Sequence, residues 1–127
     1  MATLKLPEGY QTVMPYLILN NAAAFFQFTR QVFDAREKSK HLLEDGSLVH
    51  GEVMIGESTI MFGNASDQWP VQNAGLYINV SDADETFNKA LQFGATVYQE
   101  VSDQPYGRSG GVKDPFGNTW WITTPAG

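Results

Sequence analysis

The sequence predicts an α+β fold of two paired βαβββ modules, each a mixed, curved sheet with one helix outside it, the sheets facing a concave cleft. Three observations predict it. The same order of strand and helix patterns runs twice through the 127 residues. Segments of the two halves match at one offset, Phe33-Asp34-Ala35 with Phe93-Gly94-Ala95 (93 − 33 = 60) and Thr59-Ile60-Met61-Phe62 with Thr119-Trp120-Trp121-Ile122 (119 − 59 = 60), and Gly51 with Gly111 shares that shift. The strand candidates alternate between an aliphatic face suited to a helix and a face too aromatic for open water yet too polar for a simple core. The chain is read as one domain, 1–127, with a first module over 10–64, a linker over 65–72 and a second module over 73–125.

Taken in order, Thr12 to Leu19 is β-rich and apolar, with Val13, Leu17 and Leu19 expected beneath the helix and Met14, Tyr16 and Ile18 toward the cleft. Asn20-Asn21 can cap the helix that follows, in which Phe25, Phe28, Val32, Phe26 and Phe33 recur at helical spacing. Three strands are expected next, at Ala35 to Leu42, at Leu48 to Ile55 after an Asp45-Gly46 turn, and at Ser58 to Phe62 after a Gly56-Glu57 turn. On the middle one, Val49, Val53 and Ile55 suit the helix side, leaving His50, Glu52 and Met54 toward the cleft. The second module repeats the order: Leu76 to Val80, a helix capped by Ser81-Asp82 and running to Phe93, then strands at Thr96 to Val101, Tyr106 to Lys113 and Asn118 to Thr123. Alternation directs Gly75, Tyr77, Asn79 and Trp121 to the cleft and Trp120 and Ile122 to the helix. Asp114 is expected to cap the D-P-F-G-N turn, with Gly117 at positive φ.

Composition excludes several functions. At 127 residues a core forms without disulfides or structural metal, and the absence of cysteine excludes thiolate chemistry and cysteine zinc sites. No apolar run is long enough to span a bilayer, and the first residues lack the pattern of a signal peptide, so the cytoplasm is the expected location. A net charge of −6 without a basic cluster argues against nucleic acid as a partner.

Three stretches carry a family resemblance: E-G-Y-Q-T-V-M-P-Y-L at Glu8 to Leu17, V-H-G-E-V-M-I-G at Val49 to Gly56, and D-Q-P-Y-G-R-S-G at Asp103 to Gly110 running into V-K-D-P-F-G-N-T-W. From about Gly9 to Thr124 the chain resembles the glyoxalase/bleomycin-resistance/dioxygenase superfamily, also called vicinal oxygen chelate proteins, and within it the PhnB-like branch. The superfamily includes isomerases, ring-cleaving dioxygenases, fosfomycin transferases and non-catalytic antibiotic binders, so the resemblance implies a fold more than a reaction. Its metal-dependent members place His, Glu or Gln ligands on the first and last strand of each unit. Those positions map here to Met14, Met61, Gly75 and Trp121, none of which suits a hard divalent ion. The resemblance therefore implies a metal-free cleft with no cofactor, and a homodimer, the usual state of members.

His50 and Glu52, two apart on one strand, emerge on the same face roughly 7 Å apart. They can bind a ligand jointly, or Glu52 can orient His50 for acid–base work; alternatively they form a structural pair bonded to Tyr77 or Asn79. Tyr16, Phe62, Tyr77 and Trp121 are the aromatic candidates, able to stack on a flat ligand or, with Met14 and Met61, to fill the space as core. Tyr106 and Arg108 sit in a Gly-rich segment that can lie over the cleft, where Arg108 can anchor an anion or serve as an ordinary surface residue. Trp69, in the linker, can cover the cleft mouth or pack at a dimer interface. Three readings follow: capture of a small planar, aromatic or anionic molecule, an enzyme of the lyase, isomerase or dioxygenase type using His50 with Glu52, or a cleft filled by its own side chains with the surface doing the work.

Overall fold

A computed structural model describes residues 3–127; Met1 and Ala2, the start of the segment read as lacking a signal peptide, lie outside the described residues. The elements run β1 (Tyr16–Leu19), α1 (Ala22–Phe33), β2 (Arg36–Leu42), β3 (Leu48–Ile55), β4 (Ser58–Asn64), β5 (Gly75–Asn79), α2 (Ala83–Gln92), β6 (Thr96–Gln104), β7 (Gly107–Lys113) and β8 (Thr119–Pro125). They form two mixed four-stranded sheets, ordered β1-β4-β3-β2 and β5-β8-β7-β6, in which only the first and last strand of each module pair in parallel. This is the expected duplicated βαβββ plan. The chain divides into two compact units: one ends at Arg30 and resumes over Asp34–Gln72, the other takes Gln31–Phe33 and Asn73–Gly127.

In the first unit, the aromatic stripe of α1 is buried as its spacing predicts. Phe25 meets Phe62 of β4 edge-on at 5.0 Å, which places Phe62 on the helix side of the sheet. Asn21 caps α1 in the left-handed region and accepts from the Ala24 N–H. Asn64, at the end of β4, accepts from the Ala22 N–H and donates to the Leu48 carbonyl, so one side chain fixes the helix start and the first hairpin. β1 is shorter than expected because Pro15 has no N–H to give a ladder; it contributes only its carbonyl, to Met61. Val13 accordingly lies outside the sheet and is 82% exposed rather than packed beneath the helix.

In the second unit, α2 packs on β6, β7 and β8 and is capped by Asp82. Thr124 accepts from the Ala83 N–H, the role Asn64 plays in the first module. Trp120 is buried and tilted against Phe33 at 4.4 Å, as the alternation predicts. Asp114 closes the last turn, accepting from the Phe116 and Asn118 N–H groups, with Gly117 at a φ of 100°. β6 runs on to Gln104 because Pro105-Tyr106 makes a two-residue turn that pairs Gln104 with Gly107.

The duplication is real but its offset drifts. Asp34 and Gly94 both take positive φ after their helices, sixty residues apart (94 − 34 = 60). The glycine correspondence is different from the expected one. Gly51 pairs with Phe62 on the helix face of β3, whereas Gly111 pairs with Trp121 on the opposite face of β7. Gly110, whose missing Cβ would meet Phe87 of α2, is the structural counterpart of Gly51. A one-residue change of register moves a side chain to the other face, so sequence matching alone picked the wrong glycine.

Candidate functional site

The face of the first sheet away from α1 carries the candidate site. Adjacent β1, β4 and β3 bring Tyr16 opposite Met61 and Met61 opposite Glu52. His50 stands two residues before Glu52, and its Nε2 lies 3.2 Å from Glu52 Oε2. On its other side, Nδ1 lies 3.2 Å from the Tyr16 hydroxyl. Glu52 is buried and receives a further partner from the N-terminal segment: the Tyr10 hydroxyl lies 2.9 and 2.8 Å from its two oxygens. That hydrogen bond, then desolvation, then the carboxylate's charge raise the Tyr10 phenol above its ordinary value. Tyr10 is held here because its neighbours Gly9 and Gln11 bond Thr59 of β4, the first through its carbonyl and the second through its side chain.

These contacts form a chain, Tyr16–His50–Glu52–Tyr10, within the first unit. Tyr77 and Asn79, weighed as partners for the pair, are exposed residues of β5 in the second unit; the pair bonds Tyr16 and Tyr10 instead. His41 of β2 lies across from His50 with ring centroids 6.4 Å apart.

A cavity of about 490 Å³ opens beside this chain, lined by Tyr16, Ile18, Val49, His50, Gly63, Asn64, Trp69 and Gln72. Val49 reaches it through a β-bulge. His41 pairs with His50 and Leu42 with Leu48, so Val49 is an extra residue. The bulge leaves Leu48 in the core and Val49 exposed next to His50, where strict alternation had placed Val49 beneath the helix. The linker supplies the remaining wall. Gln72 exchanges two backbone hydrogen bonds with Ile18, and a turn closed between Ser66 and Trp69 holds the indole, which remains 57% exposed. A second cavity of about 410 Å³, between α1 and the first hairpin, is lined by none of the predicted site residues.

The other predicted residues are distributed over both units. Phe62, expected to contact a ligand, is fully buried against Phe25, because it shares the helix face of β4 with Ile60. Met14 and Met61 are partly covered on the first unit. Trp121 is partly covered on β8, set edge-on to Tyr98 at 5.4 Å and lying over Gly111. Tyr106 is exposed at the turn before β7. Arg108, expected as a possible anion anchor, bonds Asp84 through Nε at 2.7 Å and Asp103 through Nη1 at 3.1 Å. Its guanidinium is thereby committed to two carboxylates and its pKa is raised, while the Asp84 carboxyl is held below its ordinary value. Ile18 lines the cavity as its alternation predicts, whereas Tyr10, Val49 and Gln72 are residues that sequence reasoning missed. Their signals lie in a bulge and in irregular segments, which have no period to read.

The residues do not fit a divalent metal at the superfamily's ligand positions. Met14, Met61, Gly75 and Trp121 offer two thioethers, an indole and no side chain. Among the described residues there is also no group of three or more His, Cys, Asp or Glu placed to hold an ion. Among the same residues no helix is long and apolar enough to cross a membrane.

Comparison with known proteins agrees with this architecture. An uncharacterised protein of Mycobacterium bovis is 33% identical over 123 residues, covering 87% of this chain and 81% of that one. Among solved structures, TioX from Micromonospora sp. ML1 superposes with a TM-score of 0.73 at 22% identity, covering 92% of this chain and 98% of its own. A PhnB protein from Bacillus cereus gives 0.69 at 16% identity, covering 90% and 99%. TnmS3, an antibiotic binding protein from Streptomyces sp. CB03234, gives 0.70 at 14% identity, covering 92% and 100%. At these identities the structures show a shared fold. The family model for the Glyoxalase/Bleomycin resistance protein/Dioxygenase superfamily matches residues 11–122, and the chain belongs to that superfamily.

Proposed function

We propose that the protein binds a small, flat, aromatic molecule in the cavity on the first sheet, without a metal. The observation that carries this reading is the cavity wall itself: Tyr16, Trp69, Ile18 and Val49 surround about 490 Å³, within the roughly 300–1,000 Å³ of small-molecule sites. An exposed indole that shares a cavity with aliphatic side chains suits stacking on a planar ring. The anionic alternative loses support, since Arg108 is occupied by acidic partners and no Lys or Arg lines this cavity. The antibiotic binding protein TnmS3, which shares the fold, is consistent with capture as the task. The resemblance also implies a homodimer, which sedimentation of the purified protein tests separately.

Tryptophan fluorescence titrated with a panel of small aromatic compounds tests the proposal. The expected result is saturable quenching by at least one compound that is lost in Trp69→Phe. Quenching that survives in that variant, or none across the panel, contradicts it.

A second reading, an enzyme, is favoured by one observation: Tyr16, His50 and Glu52 stand in consecutive hydrogen-bond reach, the arrangement of a proton-accepting group oriented by a carboxylate. Turnover of any bound compound that His50→Ala abolishes without weakening binding would establish it; unchanged turnover would exclude the acid–base role.

A further inference from the structure

His50 has no ring nitrogen left for a ligand. Nε2 faces Glu52 Oε2 at 3.2 Å and Nδ1 faces the Tyr16 hydroxyl at 3.2 Å. A carboxylate only accepts hydrogen bonds, so in the neutral ring the proton sits on Nε2 and Nδ1 is an acceptor. The Tyr16 O–H must then donate to Nδ1. The far end of the chain is pinned, because the Tyr10 hydroxyl donates to both Glu52 oxygens. The direction of every hydrogen bond in the chain follows from the carboxylate. Tyr16, half exposed and lining the cavity, has its one proton committed and offers a ligand only the lone pair of its oxygen.

The other polar groups of the wall do not reverse this. The Asn64 side chain accepts from the Ala22 N–H and gives one N–H to the Leu48 carbonyl, which leaves it one further N–H. The Gln72 backbone groups are spent on Ile18, which leaves its side-chain amide, able to act in either sense. Ile18 and Val49 are apolar, and the exposed Trp69 indole adds one N–H donor.

We infer that Tyr16 is the specificity-determining group of the cavity, selecting flat aromatic ligands that carry a hydrogen-bond donor, a phenol or an aryl N–H, over their acceptor-only counterparts. The inference rests on the binding reading above and names the class of molecule bound. Its physical basis is asymmetry. A donor ligand extends the chain Glu52–His50–Tyr16 by one bond. An acceptor-only ligand sets oxygen against oxygen and desolvates the Tyr16 lone pair without replacement.

Two measurements test it. The first needs no ligand: long-range ¹H–¹⁵N correlation of the imidazoles at about pH 7.5, with His50 assigned by comparison with His41→Gln. The Nε2–H tautomer is expected, and the Nδ1–H tautomer overturns the inference. The second compares binding of 2-naphthol with that of 2-methoxynaphthalene, which has the same rings without the donor. 2-Naphthol is expected to bind at least about tenfold tighter to the wild-type protein. Tyr16→Phe is expected to bring the two within about twofold, whereas Gln72→Ala keeps the difference. Equal affinities in the wild type overturn the inference and leave the binding reading intact. Discrimination that survives in Tyr16→Phe or vanishes in Gln72→Ala also overturns it. Binding of neither compound fells the cavity reading, and this inference with it.

Discussion

The Trp120 indole donates to Asp114 Oδ2 at 2.9 Å, with both side chains buried. The same carboxylate oxygen accepts from Asn118 Nδ2, and Oδ1 accepts from two backbone N–H groups of the turn. One carboxylate thus serves four donors, and three of the four bonds are buried. Asp114→Ala leaves them unpaired and is expected to cost about 3–4 kcal/mol in urea unfolding. Asp114→Asn, which sets an amide N–H against at least one donor, is expected to cost nearly as much. A loss below about 1 kcal/mol for both would show that the network is not holding the turn.

The two cross-strand glycines are expected to respond differently to a methyl group. At Gly51 an added Cβ falls 2.6 Å from Cζ of Phe62, which is locked against Phe25 in the core. Gly51→Ala is expected to destabilise by about 1–3 kcal/mol. At Gly111 the Cβ falls 2.8 Å from Trp121, whose ring is only partly covered and can swing outward. Gly111→Ala is expected to cost clearly less by the same unfolding measurement; a reversed order would contradict the assignment of the two faces.

Arg108 holds the Asp84 carboxyl below its ordinary value, mainly by their hydrogen bond. A depressed carboxyl contributes stability above its unfolded value, and that contribution is lost as pH falls through the lower folded one. Arg108→Ala is therefore expected to return the Asp84 titration, followed by carboxyl ¹³C shifts, to the ordinary range near about pH 4. Binding of aromatic ligands is expected to be unchanged in this variant, since its guanidinium serves carboxylates of the second unit. An unmoved Asp84 titration would show that the pair does not persist in solution.

The Tyr10 phenol is raised first by its hydrogen bond to Glu52. A raised phenol contributes stability below its unfolded value of about 10, lost as pH rises through the folded one. Glu52→Gln is expected to lower the Tyr10 titration toward that ordinary value, read as tyrosinate absorbance against a Tyr10→Phe reference. No movement would mean that the N-terminal segment does not rest on β3, and the carboxylate end of the chain would lose its anchor.

How much of this was legible in the sequence depended on regularity. The limits of β3, the Asn21 and Asp82 caps and the Asp114 turn follow from period, capping chemistry and turn residues, and stand where those rules put them. Phe62 was misplaced only by taking aromatic character as a site signal, because the β4 alternation already grouped it with Ile60. Val49 was beyond reach, since one inserted residue in a bulge reverses the face and no pattern announces it. Tyr10 and Gln72 lie in irregular segments whose positions are fixed by distant bonds, to Thr59 and to Ile18. The commitment of Arg108 was invisible for the same reason: Asp84 is twenty-four residues away and is brought near only by folding.

The most direct test of the binding claim is backbone amide chemical-shift mapping of the ¹⁵N-labelled protein during titration with 2-naphthol. The account predicts saturable shifts centred on Tyr16, Ile18, Val49, His50, Trp69 and Gln72, all around the cavity of the first sheet. Shifts centred on Phe26, Arg30 and Lys40 around the other cavity, or no saturable shift at all, would contradict it.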